Sequence, residues 1–154
     1  GMEATQFTYF QQFGGLDLDL IPAELTYGLE RLAMFLQGKR TAFEIEWAPG
    51  VTWGEVSRRT EKEGSAYNFE HADVEAARAT YESAGRECQS LLEKGLVLPA
   101  HERLVDASHN FNLLDARGVI GVNQRAAMIG EIRKLARACA DRWLELKAAV
   151  GAKA

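Results

Sequence analysis

Two periods of apolar and polar positions divide the chain. Up to about residue 53 stretches that alternate by two, the step of a pleated strand, surround one helical stretch; from residue 74 the positions recur by three and four, the step of a helix packed on one side. Residues 3–12, Glu-Ala-Thr-Gln-Phe-Thr-Tyr-Phe-Gln-Gln, are rich in strand-forming residues and place Glu3, Thr5, Phe7, Tyr9 and Gln11 on one face. Gly14-Gly15 breaks that strand, and Leu16-Asp17-Leu18-Asp19-Leu20 alternates before Pro22 as a loop or ragged strand would. The next strand, about 23–28, is expected to lie antiparallel to the first. It puts Glu24, Thr26 and Gly28 on one face, Leu25 and Tyr27 on the other. From Leu29 the step changes: Leu29, Leu32, Ala33 and Leu36 keep helical spacing up to Gly38, a suitable stop. Phe43, Ile45 and Trp47 alternate with acidic neighbours, and Pro49-Gly50 turns the chain before Val51-Thr52-Trp53, as in a short hairpin or extended arm.

Residues 57–66, Ser-Arg-Arg-Thr-Glu-Lys-Glu-Gly-Ser-Ala, hold no large apolar side chain and read as a solvated, mobile loop. Three apolar stripes follow. Val74, Ala77, Tyr81, Ala84, Cys88 and Leu91 form the first, ended by Gly95. Leu104, Ala107, Phe111 and Leu114 form the second, from near Pro99 to about Gly118. Ile129, Ile132, Ala136, Cys139, Trp143, Leu146 and Val150 form the third, with Asn123 as its N-cap. Helices of this kind with short connections pack as a bundle. The predicted class is α+β and mostly helical: short antiparallel strands in a domain over 1–56, the loop 57–66, and a helical domain over 67–154.

Composition changes this picture little, and charge narrows it. A chain of 154 residues with 47% hydrophobic and 26% charged residues is ordinary for one soluble globular domain. A net charge of −4 argues against binding nucleic acid over the whole surface, though a local basic site stays open. No apolar run approaches the ~18 residues of a membrane span, and the N-terminus has no signal-peptide pattern. The two cysteines, Cys88 and Cys139, lie on apolar helical faces and read as buried reduced thiols, which fits a reducing, cytoplasmic compartment. His71, His101 and His109 lie on separate segments without metal-ligand spacing, and no Ser/His/Asp or Cys/His arrangement is apparent.

The chemistry concentrates at 24–31. One strand face carries a carboxylate, a hydroxyl and a residue without a side chain, and Arg31 sits one turn into the following helix over the same face. Such a face suits a ligand lying close against a sheet; an edge strand capped by an amphipathic helix gives the same spacing.

Four ordered segments decide between these readings. Gly-Met-Glu-Ala-Thr-Gln-Phe-Thr-Tyr-Phe-Gln-Gln (1–12), Glu-Leu-Thr-Tyr-Gly-Leu-Glu-Arg-Leu-Ala-Met (24–34), Ala-Tyr-Asn-Phe-Glu-His-Ala-Asp-Val (66–74) and Phe-Asn-Leu-Leu-Asp-Ala-Arg-Gly (111–118) make the chain resemble the alpha subunit of bacterial-type, two-subunit glycyl-tRNA synthetase. The resemblance implies a class II synthetase that activates glycine with ATP and Mg²⁺ and charges tRNA(Gly), assembled as two alpha and two beta subunits in the cytoplasm. Residues 24–31 resemble the third class II motif, and the short strands a remnant of the catalytic sheet. The first two motifs belong upstream of Gly1, so the chain is expected to be the C-terminal half of such a subunit, inactive alone. Arg31 matches the arginine that stacks on adenine. Gly28 would let the backbone approach the nucleotide, and Glu24 would border it. Glu3, Thr5, Glu24 and Thr26 are the expected glycine-binding residues, the two carboxylates meeting the ammonium. Gln6 and Gln11 are weaker candidates. No side-chain nucleophile and no metal ligand is assigned. The alternative is a non-catalytic helical module that docks the beta subunit.

Overall fold

The computed structural model describes residues 3–151. Gly1, Met2 and 152–154, the last at the Ala/Lys-rich end, lie outside the described residues. Among these, five α-helices and three two-stranded antiparallel sheets give an α+β, mostly helical fold. The chain divides into two compact units. One takes the chain up to Gln11 and Asp19–Tyr67; the other takes Gln12–Leu18 and the chain from Asn68 onward.

In the first unit β1 (Thr5–Tyr9) pairs antiparallel with β4 (Ala23–Tyr27), as the alternation predicts. The ladder continues at both ends, where Phe10 N–H donates to Pro22 O at 3.0 Å and Gly28 N–H to Ala4 O at 2.9 Å. Helix α1 (Leu29–Gln37) follows β4 directly and stops at Gly38, whose φ of 62° is the left-handed cap that glycine adopts without a Cβ clash. Gln37 then holds the next hairpin: its side chain accepts from Glu46 N–H at 2.8 Å and donates to Glu46 O at 3.1 Å. That hairpin, β5 (Glu46–Ala48) with β6 (Val51–Thr52), brings Trp47 against Trp53 with ring centroids 4.7 Å apart.

The predicted loop over 57–66 is a helix. α2 (Trp53–Ala66) runs through it. Thr52 caps its first turn: Thr52 Oγ1 accepts from Glu55 N–H at 3.3 Å while Glu55 accepts from Thr52 N–H at 2.7 Å. This reciprocal box satisfies donors that a helix start leaves orphaned. Arg58, Arg59, Glu61, Lys62, Glu63 and Ala66 are good helix formers, and Arg59 pairs with Glu63 one turn on at 2.7 Å. The helix is polar over 57–66 because it is solvated, not because it is irregular. Gly54 is required on other grounds: a Cβ there would sit 2.8 Å from Phe43 O. Arg58 covers the same Phe43 ring at 4.6 Å.

The second unit is built on α3 (Val74–Glu93), α4 (Val97–Ala116) and α5 (Val122–Gly151). Asp73 caps α3, accepting from Ala76 N–H at 3.0 Å. One core cluster joins Ala77, Tyr81 and Ala84 to Ala107, Phe111, Leu114 and Met128; a second joins Cys88, Ala100, Leu104 and Cys139. Two details depart from the sequence reading. Helix α5 begins at Val122, so Asn123 lies inside its first turn rather than capping it, and Trp143 is half exposed rather than inward. The short hairpin of β2 (Gln12–Phe13) and β3 (Leu16–Asp17) lies on α5: a Cβ at Gly14 would stand 3.0 Å from the backbone of Ala136, and Arg137 donates to Gly15 O at 2.9 Å. The segment Tyr67–His71 makes a π-helical turn, and Arg117 fixes its far side by donating to Phe69 O at 2.7 Å and Ala72 O at 3.2 Å.

Both thiols are free and buried, with their Sγ atoms 4.0 Å apart. Burial, chiefly, pushes the Cys88 thiol up to about 12. A thiol reagent at pH 8 should therefore leave both unmodified in the native protein and modify both in denaturant; fast native reaction would contradict this packing. The hydrogen bonds from Thr52, backbone first, hold the Glu55 carboxyl below its usual 4.5. A lowered native value means that this contribution is present above pH 4.5 and lost as pH falls through the native value. Amide protection factors over 53–66, taken against the intrinsic exchange rate at each pH, should fall under acid, and Thr52→Ala should lower them at neutral pH by weakening the first turn by about 1 kcal/mol.

Candidate functional site

Pairing in an antiparallel ladder puts opposed residues on the same face. The register sets Gln6 against Thr26 and Thr8 against Glu24, and it sets Thr5 against Tyr27 and Phe7 against Leu25. The β1–β4 ribbon therefore has one polar face, Gln6, Thr8, Glu24 and Thr26, and one mostly apolar face, Thr5, Phe7, Tyr9, Leu25 and Tyr27. Phe7 and Tyr9 meet edge to face at 4.8 Å on the latter.

This register corrects one expectation. Thr5 stands on the aromatic face beside Tyr27, away from Glu24 and Thr26, because the strands pair with odd residues opposite odd ones. Gln6, ranked below Thr5 from the sequence, takes its place, and Thr8 joins it. Matching the apolar residues of the two strands would have found both: once Phe7 faces Leu25, Gln6 and Thr8 must lie beside Thr26 and Glu24. Gln11 lies outside both strands of this ribbon.

The ribbon's polar face ends at Gly28 and Arg31. A Cβ on Gly28 would meet Arg31 Cδ at 3.3 Å and Ala4 O at 3.5 Å. The arginine stem thus crosses the space that the missing side chain leaves. Gly28 has φ −80°, so backbone freedom is not what requires glycine here; the close crossing is. Arg31 Nη1 donates to Glu3 O at 2.7 Å and lies 3.8 Å from the Glu3 carboxylate. With the two side chains 53% and 65% exposed, that ion pair adds little stability. The backbone bond does the orienting. Thr26 Oγ1 donates to Glu24 Oε1, which fixes the hydroxyl and leaves the other carboxylate oxygen without a partner among the described residues.

One exposed ribbon face thus collects a carboxylate, two hydroxyls, an amide and a guanidinium held at one end. Glu24, Thr26, Gly28 and Arg31 share that face; Glu3, which alternation puts with Thr5, meets only Arg31 at its end, and Thr5 stands on the opposite face. Among the described residues no three His, Cys, Asp or Glu side chains converge as a cation cage. His71 lies in the π turn, and His101 and His109 lie on α4, remote in sequence from this ribbon.

The family model of the glycyl-tRNA synthetase alpha subunit matches residues 1–148, and the chain belongs to that family of aminoacyl-tRNA synthetases. No described helix is long and apolar enough to cross a membrane.

Gly28→Ala should displace the Arg31 stem by the few tenths of an ångström that a 3.3 Å contact demands. The expected result is loss of the Arg31–Glu3 carbonyl hydrogen bond, read from the Arg31 guanidinium NMR signals, with the helical content unchanged. An undisturbed Arg31 signal would show that the crossing is not tight.

Proposed function

We propose that the polar ribbon face, closed at one end by Arg31, is one wall of a site in which glycine is activated with ATP and then passed to tRNA(Gly). The observation that carries this reading is the Arg31 stem lying across Gly28 on the face of Glu24 and Thr26, in a chain of this family. Arg31 offers a planar, permanently charged group anchored at Nη1, with its flat side suited to stacking on adenine. Glu24, beyond Thr26 from Gly28 on that face, borders the nucleotide and meets the glycine ammonium. Thr26, tied to Glu24, keeps the carboxylate in one orientation, and Glu3 supplies a second negative charge beside Arg31. Thr5 takes no part.

Activation couples the glycine carboxylate to the α-phosphorus of ATP, with pyrophosphate leaving, so the protein needs no side-chain nucleophile. Its contribution is to position two substrates and to stabilise charge. Selecting glycine is a steric task, because every competitor carries a side chain that a closed wall rejects. Mg²⁺ commonly takes one or two carboxylates plus phosphates and waters, and this face offers Glu24 alone, so no step is assigned to the metal here. Family membership further supports a beta subunit, a second alpha subunit and a cytoplasmic setting.

In the synthetase assembled with its beta subunit, Arg31→Ala should lower glycine-dependent ATP–pyrophosphate exchange at least about tenfold, the effect of ~1.4 kcal/mol, with an unchanged circular dichroism spectrum. Arg31→Lys should not restore it, since an ammonium cannot stack. Unchanged exchange removes Arg31 from the site. Glu24→Gln should raise the KM for glycine more than that for ATP.

A further inference from the structure

The connection between the two ribbon strands passes through the helical unit. Residues 12–18, between β1 and β4, form the β2–β3 hairpin and pack on α5. Gly14 and Gly15 make its turn at φ 57° and 79°, the positive values that a two-residue turn of type I′ needs at both positions. The two glycines are not equivalent. Asparagine tolerates positive φ, so the turn alone would admit it at either place. A Cβ on Gly15 would have only Arg137 Nη1 near it, at 3.9 Å. A Cβ on Gly14 would stand 3.0 Å from the carbonyl carbon of Ala136 and 3.0 Å from Arg137 N, backbone that cannot step aside. Gly14 therefore serves a docking contact as well as a turn.

Arg137 completes that contact. Its Nη1 donates to Gly15 O at 2.9 Å, while its Nε donates to Asp141 Oδ2 at 3.1 Å, one turn further along α5. Each of these two side chains is 48% exposed, so the ion pair stabilises the helix little. Its effect is to aim the guanidinium at the turn.

This clamp lies a short way along the chain from the Glu24 end of the ribbon. Gln12 Nε2 donates to Asp17 Oδ1 at 2.6 Å and ties the open end of the hairpin. Phe10 then pairs with Pro22, and the next rungs are Tyr9 with Ala23 and Thr8 with Glu24. From Gln12 back to Thr8 the extended chain reaches at most about 14 Å. The path from Asp17 on to Glu24 is longer and runs through the exposed Leu20 and Ile21, so it has slack. A restraint on the hairpin is thus passed mainly through β1.

We propose that Arg137 is a positioning residue for glycine activation: by clamping the hairpin on α5 it holds the Thr8–Glu24 rung, and with it the carboxylate assigned to the glycine ammonium. This rests on the activation-site reading above. Arg137 itself touches no substrate. Arg31 lies at the opposite end of the ribbon, beyond the rung of Thr5 and Tyr27, and is held there by Glu3 O, so the clamp acts on glycine more than on the nucleotide.

In the synthetase assembled with its beta subunit, Arg137→Ala should raise the KM for glycine at least about threefold in ATP–pyrophosphate exchange, with the KM for ATP changed less than about twofold. In a double-mutant cycle with Glu24→Gln the two effects should not multiply, because both act on one carboxylate. In the full chain, the Thr8 methyl NMR signal should move in Arg137→Ala and in Gly14→Asn, with Thr5 unmoved. It should keep its place in Gly15→Asn, which preserves both turn and contact. Neither core cluster contains these three residues, so every variant should keep its helical content. A Thr8 signal indifferent to Arg137→Ala overturns the clamp and leaves the activation site standing. Equal rises in the two KM values, or effects that multiply with Glu24→Gln, overturn the positioning role in favour of general loosening. A glycine KM that Glu24→Gln raises and Arg137→Ala leaves alone also overturns it. A glycine KM unmoved by Glu24→Gln itself overturns the assignment of Glu24, and the proposal with it, whatever Thr8 does.

Discussion

The register of β1 against β4 is the constraint on which the candidate site depends. Side chains alternate across a strand, so a slip of one residue would send Gln6 and Thr8 to the opposite side from Glu24 and Thr26. Two features set the observed pairing. Phe7, Tyr9, Leu25 and Tyr27 gather on one face, and the ladder is closed at its ends by Phe10 to Pro22 and Gly28 to Ala4. The second bond places Gly28 at the last rung. From there the chain enters α1, and Arg31 returns across the glycine to Glu3. Strand pairing, the absent side chain and the arginine's direction form one connected arrangement, and a change in any of them moves the guanidinium.

The helical unit is organised by small residues. Ala77, Ala84, Ala100 and Ala107 are nearly fully buried, and they let the helices approach around Tyr81, Phe111 and Leu114. The Gly14 turn reaches within contact of the α5 backbone because no side chain intervenes. Where small residues meet a partner they bring elements together; where Gly85 has only Leu135 at the edge of contact, they leave an open trough between α3 and α5.

Much of this was legible in the amino-acid order, for identifiable reasons. The stripes from Val74 to Leu91 and from Leu104 to Leu114 are long and strictly periodic, and they are helices with the expected residues inward. The antiparallel pairing of the two strands also followed from alternation. What failed was polarity taken as irregularity: 57–66 has no apolar stripe, yet Thr52 and Glu55 form a capping box three residues apart, a signal present in the sequence. Thr5 failed for a different reason. Alternation places Glu3 and Thr5 together within one strand but says nothing of which face the neighbouring strand offers. That needs the register, which becomes visible only when the apolar residues of both strands are matched. The meeting of Cys88 with Cys139 was not legible at all, since it depends on how two helices far apart in sequence cross.

If the polar face of the ribbon is where glycine and adenine are held, then ligand must be felt on one side of two strands and not the other. Methyl groups report this directly, because Thr8 and Thr26 lie on the polar face while Thr5 and Leu25 lie on the aromatic one. The decisive measurement is the methyl NMR spectrum of the synthetase, assembled with its beta subunit, titrated with a stable analogue of glycyl-adenylate. Saturable shifts at Thr8 and Thr26, with Thr5 and Leu25 unmoved, are the predicted result. Shifts confined to Thr5 and Leu25, or none on either face, would contradict it.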